Sequence, residues 1–350
     1  LLYLAHHRST RQLQYTPASF IVYHAKNHVH HPRECIIYDI HPLNKEQVTA
    51  LVQWAGREGW NPGLNDHELI WNADPEGFLG LSVDGQWVAG GAVVRHNPSF
   101  GFMGLFIVEP KHRSQGLGRK LWYARRDHLL ARLQPDATIG LDAVDAMVGF
   151  YAQGGFEPFT RHRRFQWEPK LPPVNQLHSN DLHSNDLRSN DIHSNDLHSG
   201  LATSISIRPY QQSDFHSVHD MDTHCFPGER TQVLLPWIKQ PNAYTLVATD
   251  RNQPDLLLGW GTIRPCLVGW KIGPLQAESL DVAESLIHAL AKKSQATSIM
   301  IDVPDNNPSM TELCRNHQMQ EIFGCVRMYL GPPPTLQTEN LYAILSLEIG

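Results

Sequence analysis

The sequence predicts two mixed α/β units in tandem, joined by a low-complexity linker. Length is the first indication: 350 residues, at roughly 150 per domain, make two domains. The second is a degenerate pentad, Leu-His-Ser-Asn-Asp, that recurs from Leu177 to Ser199 between a Pro172-Pro173 pair and Gly200. A period of five matches neither the 3.6 of a helix nor the 2 of a strand, so it builds no apolar face. Its Ser, Asn and Asp side chains also compete with the backbone for hydrogen bonds. The third is that one order of strand-like and helix-like segments occurs on both sides of that linker. The expected division is therefore 1–34 as a disordered or mis-assigned extension, 35–170 as the first unit and 171–203 as the linker, then 204–332 as the second unit and 333–350 as a tail.

In the first unit Cys35–Ile40 reads as a strand. Lys45–Gly56 reads as a helix, with Val48, Leu51, Val52 and Ala55 at helical spacing and a glycine stop. Gly77–Val83 and Trp87–Val94 form a hairpin about Asp84-Gly85, a pair suited to a type I′ turn. Phe102–Val108 is a strand, Leu117–Leu133 a helix, Thr138–Ala143 a strand and Ala146–Gln153 a short helix, and Phe165–Trp167 closes the sheet. The second unit gives Ser206–Arg208, helix Gln212–Met221, the pair Tyr244–Thr249 and Leu256–Ile263, and Gly269–Ile272. Helix Leu280–Lys292, strand Ser298–Val303, helix Pro308–Asn316 and strand Gly324–Tyr329 follow.

Composition narrows the function. A formal charge of −6 argues against a nucleic-acid partner, which would call for a basic excess. Five cysteines without a CxxC pair support neither a disulfide framework nor a structural zinc site, and suggest a reducing, cytoplasmic setting. No apolar run approaches the ~18–20 residues of a membrane helix. The four histidines of the repeat lack a fixed scaffold, so no metal is expected.

The strongest local signal is Val108-Glu109-Pro110-Lys111-His112-Arg113-Ser114-Gln115-Gly116-Leu117-Gly118-Arg119-Lys120. A strand ends, a loop with an arginine and two glycines follows, and a helix begins. Unpaired amides and the helix dipole favour an anion there. Gly116 and Gly118 let backbone approach a phosphate, and Arg113, Arg119 and Lys120 add charge. The second signal is Tyr151-Ala152-Gln153-Gly154-Gly155-Phe156, a tyrosine on a short helix ahead of a turn into a strand.

Together these motifs resemble the GCN5-related N-acetyltransferase (GNAT) superfamily. Arg113-Ser114-Gln115-Gly116-Leu117-Gly118 matches its Gln/Arg-x-x-Gly-x-Gly/Ala loop, and Tyr151 with Gly155-Phe156 matches its second hallmark. The resemblance implies a twisted sheet splayed between two central strands, with acetyl-CoA as co-substrate in the gap. Its pyrophosphate would lie on Arg113, Ser114, Gln115, Gly116, Leu117, Gly118 and Arg119, and its pantetheine arm along Phe106, Ile107 and Val108. Tyr151 would protonate the departing thiolate, a role that suits a phenol. Glu58–Gly63, Ala73–Phe78 and Ile139–Asp142 look like a bacterial subgroup of tandem acetyltransferases, and Gly273–Ala277, Ile301–Asn307 and Arg327–Gly331 resemble its C-terminal acetyltransferase-like domain.

The sequence departs from that pattern in places. Ser114 stands where many members have Gly, and Val144 where many have Asn. In the second half Cys314 takes the place of the Tyr, Gln318-Met319 replaces Gly-Phe, and no glycine loop precedes Leu280–Lys292, although Asn307 is present. One active half is expected, the first, with the second as scaffold or substrate wall in contact with it. Asp142, at a strand end, reads as the receiver of the substrate ammonium or the base, or as a capping carboxylate. Trp60, Asn61 and Asp66 read as acceptor-loop residues or as a rigid turn between helices. Glu109 and Cys225 are weaker candidates for base and nucleophile, and Arg161–Arg164 reads as a solvated basic strand edge. The expected activity is N-acetyl transfer to a small-molecule primary amine. The alternatives are an acyl-CoA sensor, or an acetyltransferase acting on protein or peptide.

Deleting Leu177–Ser199 should leave thermal stability and CoA affinity nearly unchanged, because loop closure varies only logarithmically with length. Loss of folding in a melting experiment would show that the repeat packs against a domain.

Overall fold

The computed structural model describes residues 37–169 and 204–350. The extension 1–34 and the repeat 177–199 therefore lie outside the described residues. The first half runs β1 (Tyr38–Pro42), α1 (Lys45–Arg57), α2 (Asp66–Ala73), β2 (Phe78–Val83), β3 (Gln86–Asn97), β4 (Phe100–Val108), α3 (Leu117–Leu130), β5 (Thr138–Ala143), α4 (Val148–Ala152) and β6 (Glu157–Trp167). The second runs β7 (Ile205–Pro209), α5 (Phe215–Cys225), α6 (Thr231–Ile238), β8 (Tyr244–Asp250), β9 (Leu257–Pro265), β10 (Trp270–Ala277), α7 (Leu280–Ser294), β11 (Ile299–Pro304), α8 (Pro308–Asn316), β12 (Gln320–Leu330) and β13 (Leu341–Ala343).

Local chemistry explains most of these elements. Asn44 and Gln47 form a reciprocal capping box on α1, whose Val48, Leu51, Val52 and Ala55 are buried. Asp84 and Gly85 both have positive φ, at 49° and 76°, as the turn between β2 and β3 requires. Two helices escape the sequence pattern. α2 is eight residues long and has no side-chain cap, and α6 carries Pro236 inside it. Both are held by tertiary packing: Leu69 and Ile70 of α2 share a buried cluster with Val233 and Trp237 of α6.

All thirteen strands of the described residues form one sheet, in the order β1-β2-β3-β4-β5-β12-β6-β11-β10-β9-β8-β7, with β13 on β10. The order is not that of two sheets side by side. One late strand of each half is exchanged: β12 pairs antiparallel with β5, and β6 pairs antiparallel with β11 and β12. Core residues travel with the strands. Phe165 of β6 is buried in the second half's core, and Met328 of β12 in the first half's.

The exchange overturns the reading of Arg161–Arg164 as a solvated edge. That segment is the middle of a central strand, and its charges are matched across the junction. Arg164 holds Asp302 through two hydrogen bonds, at 2.7 and 2.8 Å, and donates to the Trp60 carbonyl. Arg163 binds Asp305 and Glu321, and Arg161 binds Asp145. In return Arg327 of β12 holds Asp142 of β5 at 2.9 and 2.8 Å.

The segment 333–350, expected as a tail, is built into both halves. β13 pairs with β10 at Leu275 and Gln276, and the Ile344 amide donates to the Asp302 carbonyl on β11. Leu345 and Ile349 are buried against α1, α2 and α6. The His96 ring is 2.7 Å from the Ile349 carbonyl, and Arg230 donates to the Gly350 carbonyl.

Each half produced alone should fail to fold, because β5 and β11 would each lose their antiparallel neighbour and buried charges would be stranded. Co-expression of 37–169 with 204–350 should restore a soluble 1:1 complex. A cooperative unfolding transition in either isolated half would refute this.

Candidate active site

Strands β4 and β5 are parallel and pair only from Phe100 to Met103 with Thr138 to Leu141, then part. A bulge marks the parting: opposite β3, Ala92 faces Gly104 and Gly90 faces Ile107, and Leu105 sits at φ 45°. The divergence opens a cavity of about 670 Å³. Its walls include Phe106, Ile107 and Val108 of β4, Leu141 and Asp142 of β5, and Tyr151 of α4.

One end of the cavity is the turn into α3. Arg113, Ser114, Gly116, Gly118 and Arg119 line it. Gly116 caps α3 at φ 79° with no side-chain hydrogen bond, so the first helix amides point out unpaired. Ser114 takes φ 62°, a conformation that a glycine would adopt without strain. Arg113 donates to the Val108 carbonyl and pairs with Glu58 at 2.5 Å. Arg119 reaches Gln153 at 3.2 Å. Gln115 and Leu117 do not face the cavity. Gln115 donates to the Lys111 carbonyl, and Leu117 is buried under the helix. This end offers amides and two arginines to an anion, which fits the diphosphate expected there.

Tyr151 lines the same cavity, its ring 5.3 Å from Phe150 and 6.0 Å from Trp122. Burial pushes its phenol up to about 12, so it carries its proton at neutral pH.

Other expected residues are placed differently. Asp142 lines the cavity but is committed: Arg327 grips both its oxygens, and His162 Nδ1 lies 3.1 Å away. Burial by itself would raise its carboxyl, but Arg327 and His162 overcome that and hold it well below the usual carboxylate range. It has no oxygen to spare for a substrate ammonium and is a poor base. Asn61 and Asp66 do not line the cavity. Asn61 clips the halves together, donating to the Val268 carbonyl and accepting from its amide. Asp66 forms a buried pair with Arg264 of β9. Trp60 alone of that loop reaches the cavity. Glu109 pairs with Arg57, and burial pushes the Cys225 thiol up to about 12, against a nucleophilic role.

The cavity also has walls that the motifs do not announce: Arg125, Phe323, Cys325, Leu347 and Glu348. Phe323 and Cys325 belong to the exchanged β12, and Leu347 and Glu348 to the chain's last residues. Their one sequence signal was the resemblance of this C-terminal region to a dedicated domain. Gly104 makes the last contact possible, since a Cβ there would collide with the Glu348 carbonyl oxygen.

In the second half, β10 and β11 pair only from Trp270 to Ile272 with Ile299 to Ile301, and then part in the same way. There β13 and Ile344 bridge the two strands, so the gap is filled by the chain itself. Asn307 caps α8 and donates to the Glu339 and Leu341 carbonyls, fastening that segment. Cys314 is fully buried. Glu284, His288 and His317 bring possible metal ligands within 4.8 Å of one another on this half. They are partly exposed and bonded among themselves, and the two imidazoles lower Glu284 to about 2.

Comparisons with known proteins agree with this architecture. Residues 45–156 match the "Acetyltransferase (GNAT) family" and residues 218–343 the "Acetyltransferase (GNAT) domain". The chain therefore belongs to the GNAT superfamily, with two such domains in tandem. It is a GNAT-type acyltransferase. It is 26% identical over 310 residues to a holothin acyltransferase of Pseudoalteromonas sp., covering 88% of this chain and 93% of the relative. A protein of Pyrococcus horikoshii, provisionally assigned as an acetyltransferase, superposes with TM-score 0.67 at 18% identity, covering 93% of this chain and 100% of that one. A tandem GNAT protein from the clavulanic acid biosynthesis pathway superposes with TM-score 0.55 at 11% identity, covering 85% and 100%. Among the described residues no helix is long and apolar enough to cross a membrane.

Gly118→Asp should weaken CoA binding by more than about tenfold, since it sets a carboxylate among the anion-binding amides. A Cβ there would also lie 3.2 Å from Val108 Cγ2. Calorimetry with CoA, beside a melting curve for the fold, checks this.

Proposed function

We propose that the first half transfers the acetyl group of acetyl-CoA to a primary amine of a small molecule. The observation that carries this reading is the cavity, lined at one end by the turn into α3 and also walled by β12 and the segment 344–350. Phe323, Cys325, Leu347 and Glu348 add walls to the cavity from beyond the first half, which favours a small acceptor. A relative named as an acyltransferase of holothin fits a dedicated acceptor compound.

Acetyl-CoA supplies an activated acyl group. Arg113, Arg119 and the amides of α3 would hold its phosphates, and the edge of β4 that β5 leaves beyond Met103 would take its extended arm. Free backbone amides on that edge can polarise a carbonyl. Tyr151 keeps its proton and can deliver it to a leaving sulfur. The second half's own gap is occupied by β13, so its role is to wall the acceptor space. A protonated phenol in the cavity favours an enzyme over a sensor, which has no use for a proton donor.

Tyr151→Phe should retain CoA binding and lower kcat by roughly 10²–10⁴, followed as free thiol released from acetyl-CoA across a panel of amines. Cys314→Ala should leave turnover almost intact. Tight CoA binding without turnover on any amine would favour the sensor.

A further inference from the structure

Three carboxylates line the cavity: Glu58, Asp142 and Glu348. Two are already committed to cations, Glu58 to Arg113 and Asp142 to Arg327 and His162. Glu348 is different. It is only 5% exposed, and among the described residues no cation lies within ion-pair distance of it. The one hydrogen bond its carboxylate accepts there comes from the Ser346 hydroxyl, to Oε2. Three nearby cations act on it through space, and each is held elsewhere: Arg164 by Asp302, Arg264 by Asp66, and Lys271 by the Asn61 carbonyl. The Cys325 thiol faces it from β12. This buried carboxylate retains an oxygen that no group among the described residues bonds.

Its position is as telling as its lack of a partner. The Glu348 carbonyl sits against Gly104, in the middle of β4 where it leaves β5, while the loop expected to hold the phosphates follows Val108 at the strand's end. Glu348 therefore stands at the end of the cavity away from the phosphate loop, where an acceptor would enter. The surfaces that accompany it are apolar: Trp60, Leu105, Phe323 and Leu347. Of the arginines in the walls, Arg113 and Arg119 belong to the loop, and Arg125 is spent on the Ala92 and Gly104 carbonyls. No cation is left there to receive an acidic group.

We propose that Glu348, carried into the first half's cavity by the chain terminus, receives the acceptor's ammonium and takes its proton, and that the acceptor is an apolar primary amine without an acidic group. This rests on the acetyl-transfer reading above. The ammonium gives one proton to Glu348, which passes it to solvent. The freed nitrogen lone pair forms the N–C bond at the thioester carbonyl, and the C–S bond breaks with its electron pair on sulfur. Tyr151 protonates that sulfur, and the second proton lost from nitrogen restores the phenol. The third stays on the amide.

The test is calorimetric titration of 2-phenylethylamine and its neutral isostere 2-phenylethanol into the full chain, with and without saturating CoA. The wild type should prefer the amine. Glu348→Gln should weaken amine binding roughly 10- to 100-fold, the worth of a charged hydrogen bond, and leave alcohol and CoA binding unchanged. Glu348→Asp and Ser346→Ala, which keep the charge, should keep the preference and serve as controls should the glutamine variant unfold. Absence of amine preference in the wild type would overturn the proposal. So would its survival in a folded Glu348→Gln variant, or its loss in a folded Ser346→Ala variant. An amine preference that depends on Glu348 but comes without acetyl transfer would leave this site standing and count against the acetyl-transfer reading alone.

Discussion

The exchange of β6 and β12 between the halves is the constraint on which the remainder of the structure hangs. Each strand carries an arginine into the opposite half, and each arginine meets a buried aspartate there: Arg164 with Asp302, Arg327 with Asp142. Bidentate pairs of this kind are geometrically demanding. They add little net stability against an apolar alternative, but losing one partner costs about 3–5 kcal/mol. They therefore specify which strand lies where, while Phe165 and Met328, buried in the opposite cores, supply apolar burial.

The same exchange makes the site composite. Because β12 lies beside β5, Phe323 and Cys325 become cavity walls of the first half. Because Arg327 grips Asp142, the carboxylate that the sequence offers as a base is consumed as structure. The segment 344–350 then adds walls to the cavity, anchored by Arg230 on the Gly350 carbonyl and by the close approach at Gly104. The second half contributes walls to that cavity, while β13 bridges its own gap between β10 and β11. Its splayed strands hold β13, and the residues 344–350 that follow reach the first half from there.

The two halves show how one architecture is used in two ways. The turn after α4 and the turn after α8 have the same hydrogen bond, Phe156 amide to Tyr151 carbonyl and Met319 amide to Cys314 carbonyl. In one half the residue at that carbonyl is a tyrosine facing a cavity; in the other it is a buried cysteine. Asn307 has been turned to holding the chain's own backbone.

The sequence by itself determined the class of fold, most strands and helices, and the glycine-bearing turn into α3 with the tyrosine that shares its cavity. These are local: a capping box at Asn44, an Asp84-Gly85 turn, glycines at the start of α3 and apolar periodicity are written within a few residues of one another. Only the tertiary structure decided the strand order, the fate of Arg161–Arg164 and the partners of Asp142, Asn61 and Asp66. Most of those depend on pairings between residues more than a hundred positions apart, for which no local pattern exists. Whether a carboxylate is a base or half of an ion pair is settled by what faces it across the sheet. For that reason Asp142 was legible as a candidate and Glu348 was not.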